Sequence, residues 1–324
     1  MKSVIETTLK SKNTGNDRPR GSREKPMKAG SRGTYRKTYE SRDSWPRVSI
    51  ITPSYNQDRF IEETIRSVLN QNYPNIEYVM IDGGSTDNSI DIIRQYEKDL
   101  AFWISEKDKG QSHAINKGWR RSTGEIVGYL NSDDTYEPNV FFHVVEFFKN
   151  HSEASMVYGN CNIIDEKSNI VDNNYLVNVP DFDLVDILTN NYIPQPTVFF
   201  RRRLLDEIGY LDESLHMAMD LDYWLRIGLK YEVRHIDKIL ANFRIHSSNK
   251  SDPDIDKTCP DLKRIYDKVF SRKDLALEVR RKKNATYSYL YDRMSGNSRN
   301  ERKILRSKYY WLCSKLYEIR NHLI

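Results

Sequence analysis

The sequence is poor in the features of a secreted or membrane-embedded chain. Its 324 residues hold only three cysteines, Cys161, Cys259 and Cys313, too far apart for a metal or redox motif, so they read as reduced thiols of a cytosolic protein. No window is apolar enough for a membrane span, and the N-terminal stretch MKSVIETTLKSKNTGNDRPRGSREK lacks an apolar core of signal-peptide length. A cytoplasmic location is therefore expected. Charge of a single sign is also missing: 51 Lys plus Arg stand against 46 Asp plus Glu, a surplus too small to imply nucleic acid, and no nucleic-acid-binding module is recognisable. Internal repeats and long low-complexity tracts are absent after Arg47.

What the chain has instead is a sharp change of texture at Arg47. Residues 1–45 are mostly Lys, Arg, Gly, Ser and Thr and bury too little apolar surface to offset the entropy of ordering, so a disordered basic tail is expected there. Beyond it, β-branched runs alternate with helical stripes. RVSIITPSY reads as a strand, and DRFIEETIRSVLNQ as a helix with Phe60, Ile61, Ile65, Val68 and Leu69 on one face. IEYVMIDGGS with TDNSIDIIRQYEKD, and AFWISEKDKG with GQSHAINKGWRRS, repeat the unit, and EIVGYLNSDD adds a fourth strand. Successive units with continuously apolar strands argue for an α/β fold with a parallel sheet covered on both faces. Ligands of such sheets bind at the carboxyl ends of the strands. Here those ends are polar: Ser54 to Asn56, Asp82 to Ser85, Glu106 to Gly110, and Asn131 to Asp134.

The order after Pro138 is mixed. NVFFHVVEFFKN reads as a helix, SMVYGNCNIIDEKSNIV as a hairpin turning at Asp165 to Ser168, and YIPQPTVFFRRRLLDEIGYLDESL as strand, helix and loop. MDLDYWLRIGLKY is a further helix and KILANFRIHSSNKS a last strand, which suggests antiparallel strands added beside the parallel core. From Asp254 the chain is helical and basic. The predicted division is a tail over 1–45, an α/β domain over 46–250 and a helical extension over 251–324. In the extension Leu305, Tyr309, Leu312, Leu316 and Ile319 form an amphipathic stripe among lysines and arginines, which either packs on its own domain or lies on a membrane surface.

Two acid pairs carry the chemistry. Asp133 and Asp134 end the fourth strand, where like charges repel; a divalent cation turns that repulsion to use, and a solvated turn is the alternative reading. Asp220 and Asp222 lie at a helix start, where carboxylates favour the helix dipole or one acts as a base; two residues apart, they face different ways. Tyr55 is either a stacking platform for a nucleobase or an ordinary half-buried aromatic. Asp82, ahead of Gly83 and Gly84, is a ligand-facing carboxylate or a plain Asp-Gly turn.

The segments ITPSYNQDRFIEETIRSVLNQNYPNIEYVMIDGGSTDNS, SEKDKGQSHAINKG, NSDD, QPTVFFRRRLLDEIGYLDESL, MDLDYWLRI and FRIH, in this order, resemble the family 2 glycosyltransferases, inverting enzymes of the nucleotide-sugar-binding GT-A fold, and especially members that build bacterial surface polysaccharides. The resemblance implies a Rossmann-like, mostly parallel sheet with antiparallel additions in the acceptor half and C-terminal helices. It implies a nucleoside-diphosphate sugar donor, uridine or thymidine, bound among Thr52, Ser54, Tyr55, Asp82, Gly84, Asp108, Gly110, Asn116, Lys117, Ser132, Asp133 and Gln195. It further implies Mn2+ or Mg2+ held by Asp133, Asp134 and His246, and a catalytic base at Asp220, preferred to Asp222 because Asp220 occupies the family position ahead of YWLR. The implied acceptor is a glycan or lipid-linked hydroxyl, with peripheral contact at the inner face of the plasma membrane and no nucleic acid as partner.

Three positions depart from the family pattern: Gly83 and Met219 where acids are usual, and Asn131 in place of the first acid of the Asp-x-Asp signature. They keep open a non-catalytic nucleotide-sugar-binding protein, which the retained Asp220 opposes. A nucleotidyltransferase is the other alternative, although TPSYNQ has neither the glycine nor the lysine of its usual phosphate loop.

Overall fold

The apolar runs identified above become strands in a computed structural model that describes residues 45–171, 176–250, 255–296 and 312–315. β1 (Val48–Ser54), β2 (Ile76–Asp82), β3 (Phe102–Ser105) and β4 (Ile126–Tyr129) run parallel in the order β3-β2-β1-β4. Every residue of β1 is buried, as a strand covered on both faces requires. Ser54 pairs with Asp82 and Asp82 with Ser105, so the polar groups closing these three strands lie in one line. β4 flanks β1 on the other side, with Tyr129 opposite Ile51. The winding therefore reverses between β1 and β4, and the crevice outside the carboxyl ends at such a reversal is where open α/β sheets bind ligands.

α1 (Ile61–Leu69) buries Ile61, Thr64, Ile65 and Val68 as its stripe predicts, and α2 (Ser89–Gln95) is held mainly through Ile93. α3 (Gln111–Arg121) follows Gly110, whose φ of +114° lies where a side chain would be strained; this turns the chain from the end of β3 into the helix. Gly118 lets the helix settle on β1, since a Cβ there would stand 2.5 Å from Ile51 Cγ2. One turn of packing away, Trp119 meets the rings of Tyr129, Phe200 and Tyr223 at centroid distances of 5.9, 5.3 and 5.2 Å.

β5 (Thr135–Tyr136), α4 (Val140–Asn150), β6 (Ala154–Ile164), β7 (Phe199–Arg201), α5 (Arg203–Glu207), α6 (Met219–Gly228) and β8 (Glu232–Arg244) complete an eight-stranded sheet of order β3-β2-β1-β4-β7-β6-β8-β5. β7 is antiparallel to β4 and β6, and β5 to β8, as the mixed second half suggests. β6 and β8, however, pair in parallel. The hairpin expected over Asp165 to Ser168 shrinks to one bridge between Ile164 and Ile170, because the Asp165 carboxylate gathers the N–H groups of Lys167 and Asn169 into a local turn. The last strand starts at Glu232, ahead of the KILANF run, and the strand read from YIPQPTVFF is reduced to Phe199–Arg201 by a tight turn at Gln195–Thr197.

α7 (Ile255–Ser271), α8 (Leu277–Arg281) and α9 (Lys283–Gly296) follow. Cys259, Leu262, Ile265, Tyr266 and Val269 of α7 join the same buried core as the sheet. Asp261 accepts hydrogen bonds of 2.7 Å from the backbone N–H groups of His216 and Met217, in the loop that enters α6. Among the described residues no helix is long and apolar enough to cross a membrane, and no disulfide joins Cys161, Cys259 or Cys313. The tail expected over 1–45, apart from Trp45, and the stripe from Leu305 to Ile319, apart from 312–315, lie outside the described residues.

The seating of α3 gives a direct test. Gly118→Val forces the helix off Ile51, and overpacking of this kind costs about 1–3 kcal/mol. Denaturant unfolding should show a lower midpoint at unchanged slope; an unchanged midpoint would mean that α3 moves without resistance.

Candidate active site

The fold separates the members of each acid pair. The strand-end turn continues from β4, whose successor Leu130 still donates to the Ile51 carbonyl at 2.9 Å. Asp134 then points inward. It has no exposed surface, and its carboxylate accepts from the backbone N–H of Arg244 at 3.0 Å and from Asn131 Nδ2 at 3.4 Å. Burial, followed by the charge of Asp133, raises its pKa well above the ordinary carboxylate range. Both Asp134 oxygens, expected to face a metal, thus face protein donors. Asp133 turns the other way. One of its oxygens lies 3.0 Å from His246 Nε2 and 3.4 Å from Asn249 Nδ2, and the other takes no hydrogen bond from the described residues.

Arg244, the last residue of β8, holds this turn from behind. Its side chain is wholly buried and donates to the Asp133 carbonyl at 2.8 Å, to Glu63 of α1 at 2.6 Å, and to the Asp165 carbonyl and Ser168 Oγ at 3.0 Å each. Phe60 lies beneath it with the ring centroid 5.0 Å from the guanidinium carbon, and the same ring packs on His246 at 4.7 Å. Nothing in the sequence pattern singled out Arg244, since its partners sit far away along the chain.

Asp220 and Asp222 divide similarly. Asp222 is 4% exposed, bonded to Arg226 Nε at 2.8 Å and 3.8 Å from Lys268 Nζ, so it serves the packing of α6 against α7. Asp220, at the start of α6, is half-buried and accepts the N–H of Leu221 at 2.8 Å. Burial raises its pKa; the Leu221 N–H, the cation of Lys250 and hydrogen bonding from Asn191 oppose the rise. Tyr129 is held neutral by burial and by the charges of Asp220 and Asp134, which puts both acids in the surroundings of one ring.

The remaining expected site residues sort by what the fold does with them. Tyr55 is 60% exposed just past β1, a flat ring available to a base. Ser54 is buried and its Oγ has no hydrogen-bond partner, as has Asn191 Oδ1 beside Asp220. Buried polar atoms left unpaired call for a partner, and a bound ligand is one. Gly84, with φ of +83°, lies against the backbone of Lys107, and Asp108 stands over Gly83: a Cβ on residue 83 would be 2.6 Å from Asp108 Oδ2. The usual second acid is missing at 83, and the Asp108 carboxylate occupies that space. Ser132 is buried in the acid turn, and Gln195 is joined to it through Asn131 at 2.8 Å.

Four expected donor contacts are taken up within the protein. Asp82 Oδ2 accepts from Gly84 N, Ser85 N and Ser105 Oγ and its Oδ1 from Ser85 Oγ, at 2.5 to 3.0 Å. Thr52 Oγ1 meets the Tyr78 hydroxyl at 3.1 Å inside the core. Asn116 fastens α3 to the loop at Leu211 and Glu213, and Lys117 pairs with Glu106 at 2.5 Å.

The outward oxygen of Asp133 suits a divalent cation, and His246, whose Nδ1 and Nε2 face Ser248 Oγ and Asp133 Oδ2, would join it by exchanging the second of these contacts. The two residues supply one hard oxygen and one imidazole, and such ions take most of their remaining ligands from phosphate and water. The described residues contain no cluster of three or more His, Cys, Asp or Glu suited to a metal.

Residues 49–209 match Glycosyl transferase family 2. The chain is 31% identical to chondroitin synthase of Escherichia coli over 208 residues, 64% of this chain and 30% of that one. It is 30% identical to TuaG of Bacillus subtilis (strain 168), a glycosyltransferase assigned to teichuronic acid biosynthesis, over 64% of this chain and 82% of that one. The chain thus spans under a third of chondroitin synthase but most of TuaG. Among solved structures, S. aureus TarS 1–349 in complex with UDP-GlcNAc aligns with a TM-score of 0.63 at 20% identity, covering 83% of this chain and 79% of that one. Mannosyltransferase PcManGT from Pyrobaculum calidifontis, in complex with GDP-Man and Mn2+, aligns at 0.60 and 19% identity over 87% and 76%. These likenesses bear out the GT-A architecture, and with the match over residues 49–209 they identify the chain as a member of glycosyl transferase family 2.

Proposed function

We propose that the chain transfers a glycosyl group from a nucleoside-diphosphate sugar to a hydroxyl of a glycan or lipid-linked acceptor, with inversion, in the synthesis of a surface polysaccharide. The observation that carries this reading is the division of the acid pairs: Asp134 and Asp222 are engaged by Arg244 and by Arg226 with Lys268, while Asp133 and Asp220 keep oxygens for other partners. Tyr55 and the unpaired Ser54 Oγ would receive the nucleoside at the end of β1. Asp133 and His246 would hold Mn2+ or Mg2+, which when bound neutralises the diphosphate and makes it a better leaving group. Asp220, beside the unpaired acceptor Asn191 Oδ1, would orient the incoming hydroxyl and take its proton as the oxygen attacks opposite the departing diphosphate. The complexes of TarS with UDP-GlcNAc and PcManGT with GDP-Man support a nucleotide-sugar donor.

Asp220→Asn keeps shape and removes proton acceptance. Transfer should fall about a hundredfold or more with donor binding retained, the usual worth of general-base catalysis. Asp222→Asn should instead lower the melting temperature and leave transfer per folded molecule near normal. A normal rate in Asp220→Asn alongside a dead but folded Asp222→Asn would assign the base to Asp222.

Because burial raises the pKa of Asp220, the base loses its charge at a higher pH than a solvated carboxylate would. The acidic limb of kcat/KM should therefore lie above the ordinary Asp value of about 3.9, with activity lost as pH falls through it. A rate flat down to that value would contradict the assignment.

Chelation, or Asp133→Ala, should abolish most of the affinity for a nucleoside diphosphate measured by calorimetry. Mn2+-dependent binding of wild-type strength in Asp133→Ala would remove Asp133 from the site. Absence of both transfer and donor hydrolysis in the wild type, with donor binding intact, would favour a non-catalytic nucleotide-sugar-binding role.

A further inference from the structure

Asn131, which replaces the first acid of the family signature, stands in the middle of a chain of hydrogen bonds. Lys250 Nζ donates to Gln111 Oε1 at 2.8 Å, Gln111 Nε2 to Asn131 Oδ1 at 2.7 Å, Asn131 Nδ2 to Gln195 Oε1 at 2.8 Å, and Gln195 Nε2 to the Tyr129 carbonyl at 2.9 Å. An ammonium can only donate and a backbone carbonyl can only accept. The two ends therefore fix the direction of every amide between them, and each bond polarises the next. The run joins α3, the acid turn, the turn before β7 and the segment after β8, four pieces that meet at the carboxyl ends of the sheet.

A carboxylate at position 131 does not fit this chain. The oxygen replacing Asn131 Nδ2 would face both Gln195 Oε1, at the 2.8 Å now spanned by a donor, and Asp134 Oδ2, now 3.4 Å from that nitrogen, while only the other oxygen would keep its bond from Gln111. Rotating the Gln195 amide offers no relief, since its nitrogen is required by the Tyr129 carbonyl. At its other end the relay grips Lys250, in the same short segment whose His246 and Asn249 meet the Asp133 carboxylate at 3.0 and 3.4 Å.

We propose that Asn131 and Gln195 are a matched pair of positioning residues, replacing the lost acid with a neutral relay that fixes segment 246–250 across the Asp133 carboxylate. The functional part of this inference rests on the reading of Asp133 and His246 as a cation site. Restoring the family acid should then harm the site.

The test uses the full chain with Asn131→Asp, Gln195→Ser, the double variant and Lys250→Met, read by calorimetry with Mn2+ and uridine diphosphate and by thermal unfolding of the ligand-free protein. Each single change at 131 or 195 should weaken Mn2+-dependent binding about tenfold, the scale of one broken buried hydrogen bond, and lower the melting temperature. The double variant, in which the opposing Gln195 oxygen is gone, should recover part of both losses. Lys250→Met should weaken binding with little change in melting temperature, which a purely structural relay would not produce. Tighter Mn2+ binding by Asn131→Asp, or strictly additive losses in the double variant, would overturn the proposal. If the wild type showed no Mn2+-dependent nucleotide binding, the cation-site reading would fail, and the coupling between 131 and 195 in ligand-free unfolding would still decide whether the relay exists.

Discussion

A guanidinium with no exposed surface is costly unless almost every N–H finds an acceptor, and Arg244 meets that condition at the junction of four chain segments. Glu63 supplies the counter-charge, and the carbonyls of Asp133 and Asp165 with Ser168 Oγ take the other donors. Each acceptor must be brought to the end of β8 for the cation to be buried at all, so α1, the acid turn and the turn after β6 are located relative to one another by a single group. Asp134 is spent on the same junction through the Arg244 backbone N–H. The outward oxygen of Asp133, and with it the His246 imidazole at 3.0 Å from the other oxygen, takes its position from that constraint.

The architecture was legible because it is written locally. Apolar runs separated by helical stripes placed β1 to β4 and α1 to α3, and the rule that parallel sheets bind at their carboxyl ends pointed to the edge where the polar strand ends line up. Helix geometry also showed that Asp220 and Asp222 could not share a role. Less legible was which polar residues were already spoken for. Asp82 looked like a ligand for a base, yet its acceptors are used by Gly84, Ser85 and Ser105, the last contributed by a different strand. Asn116 looked like a nucleotide contact, yet it staples α3 to Leu211. Such commitments depend on neighbours distant in sequence, and no periodicity reports them. Arg244 passed without remark in the sequence for the same reason, since its partners are assembled from distant segments.

The two acid pairs show how one residue type is given two uses. Within each pair one residue is neutralised or paired, and its neighbour, Asp133 or Asp220, is less engaged by protein groups. Asp134 does so by desolvation and Asp222 by ion pairing, so the strand-end turn and the helix start reach the same division by different electrostatics. The amide relay extends this economy of charge: neutral groups occupy the place where a carboxylate oxygen would have faced Gln195 Oε1.

The hydrogen bonds from His216 and Met217 to Asp261 tie the entrance of α6 to a helix far past the end of the matched span, residue 209. The stretch of sequence by which the family is recognised is therefore smaller than the unit that can be inherited or exchanged intact. A recombination joint placed after β8 would separate Asp220 from the carboxylate that orders its approach. Because both donors are backbone N–H groups, lineages of this chain can vary the side chains at 216 and 217 freely, short of proline, while position 261 must keep an acceptor.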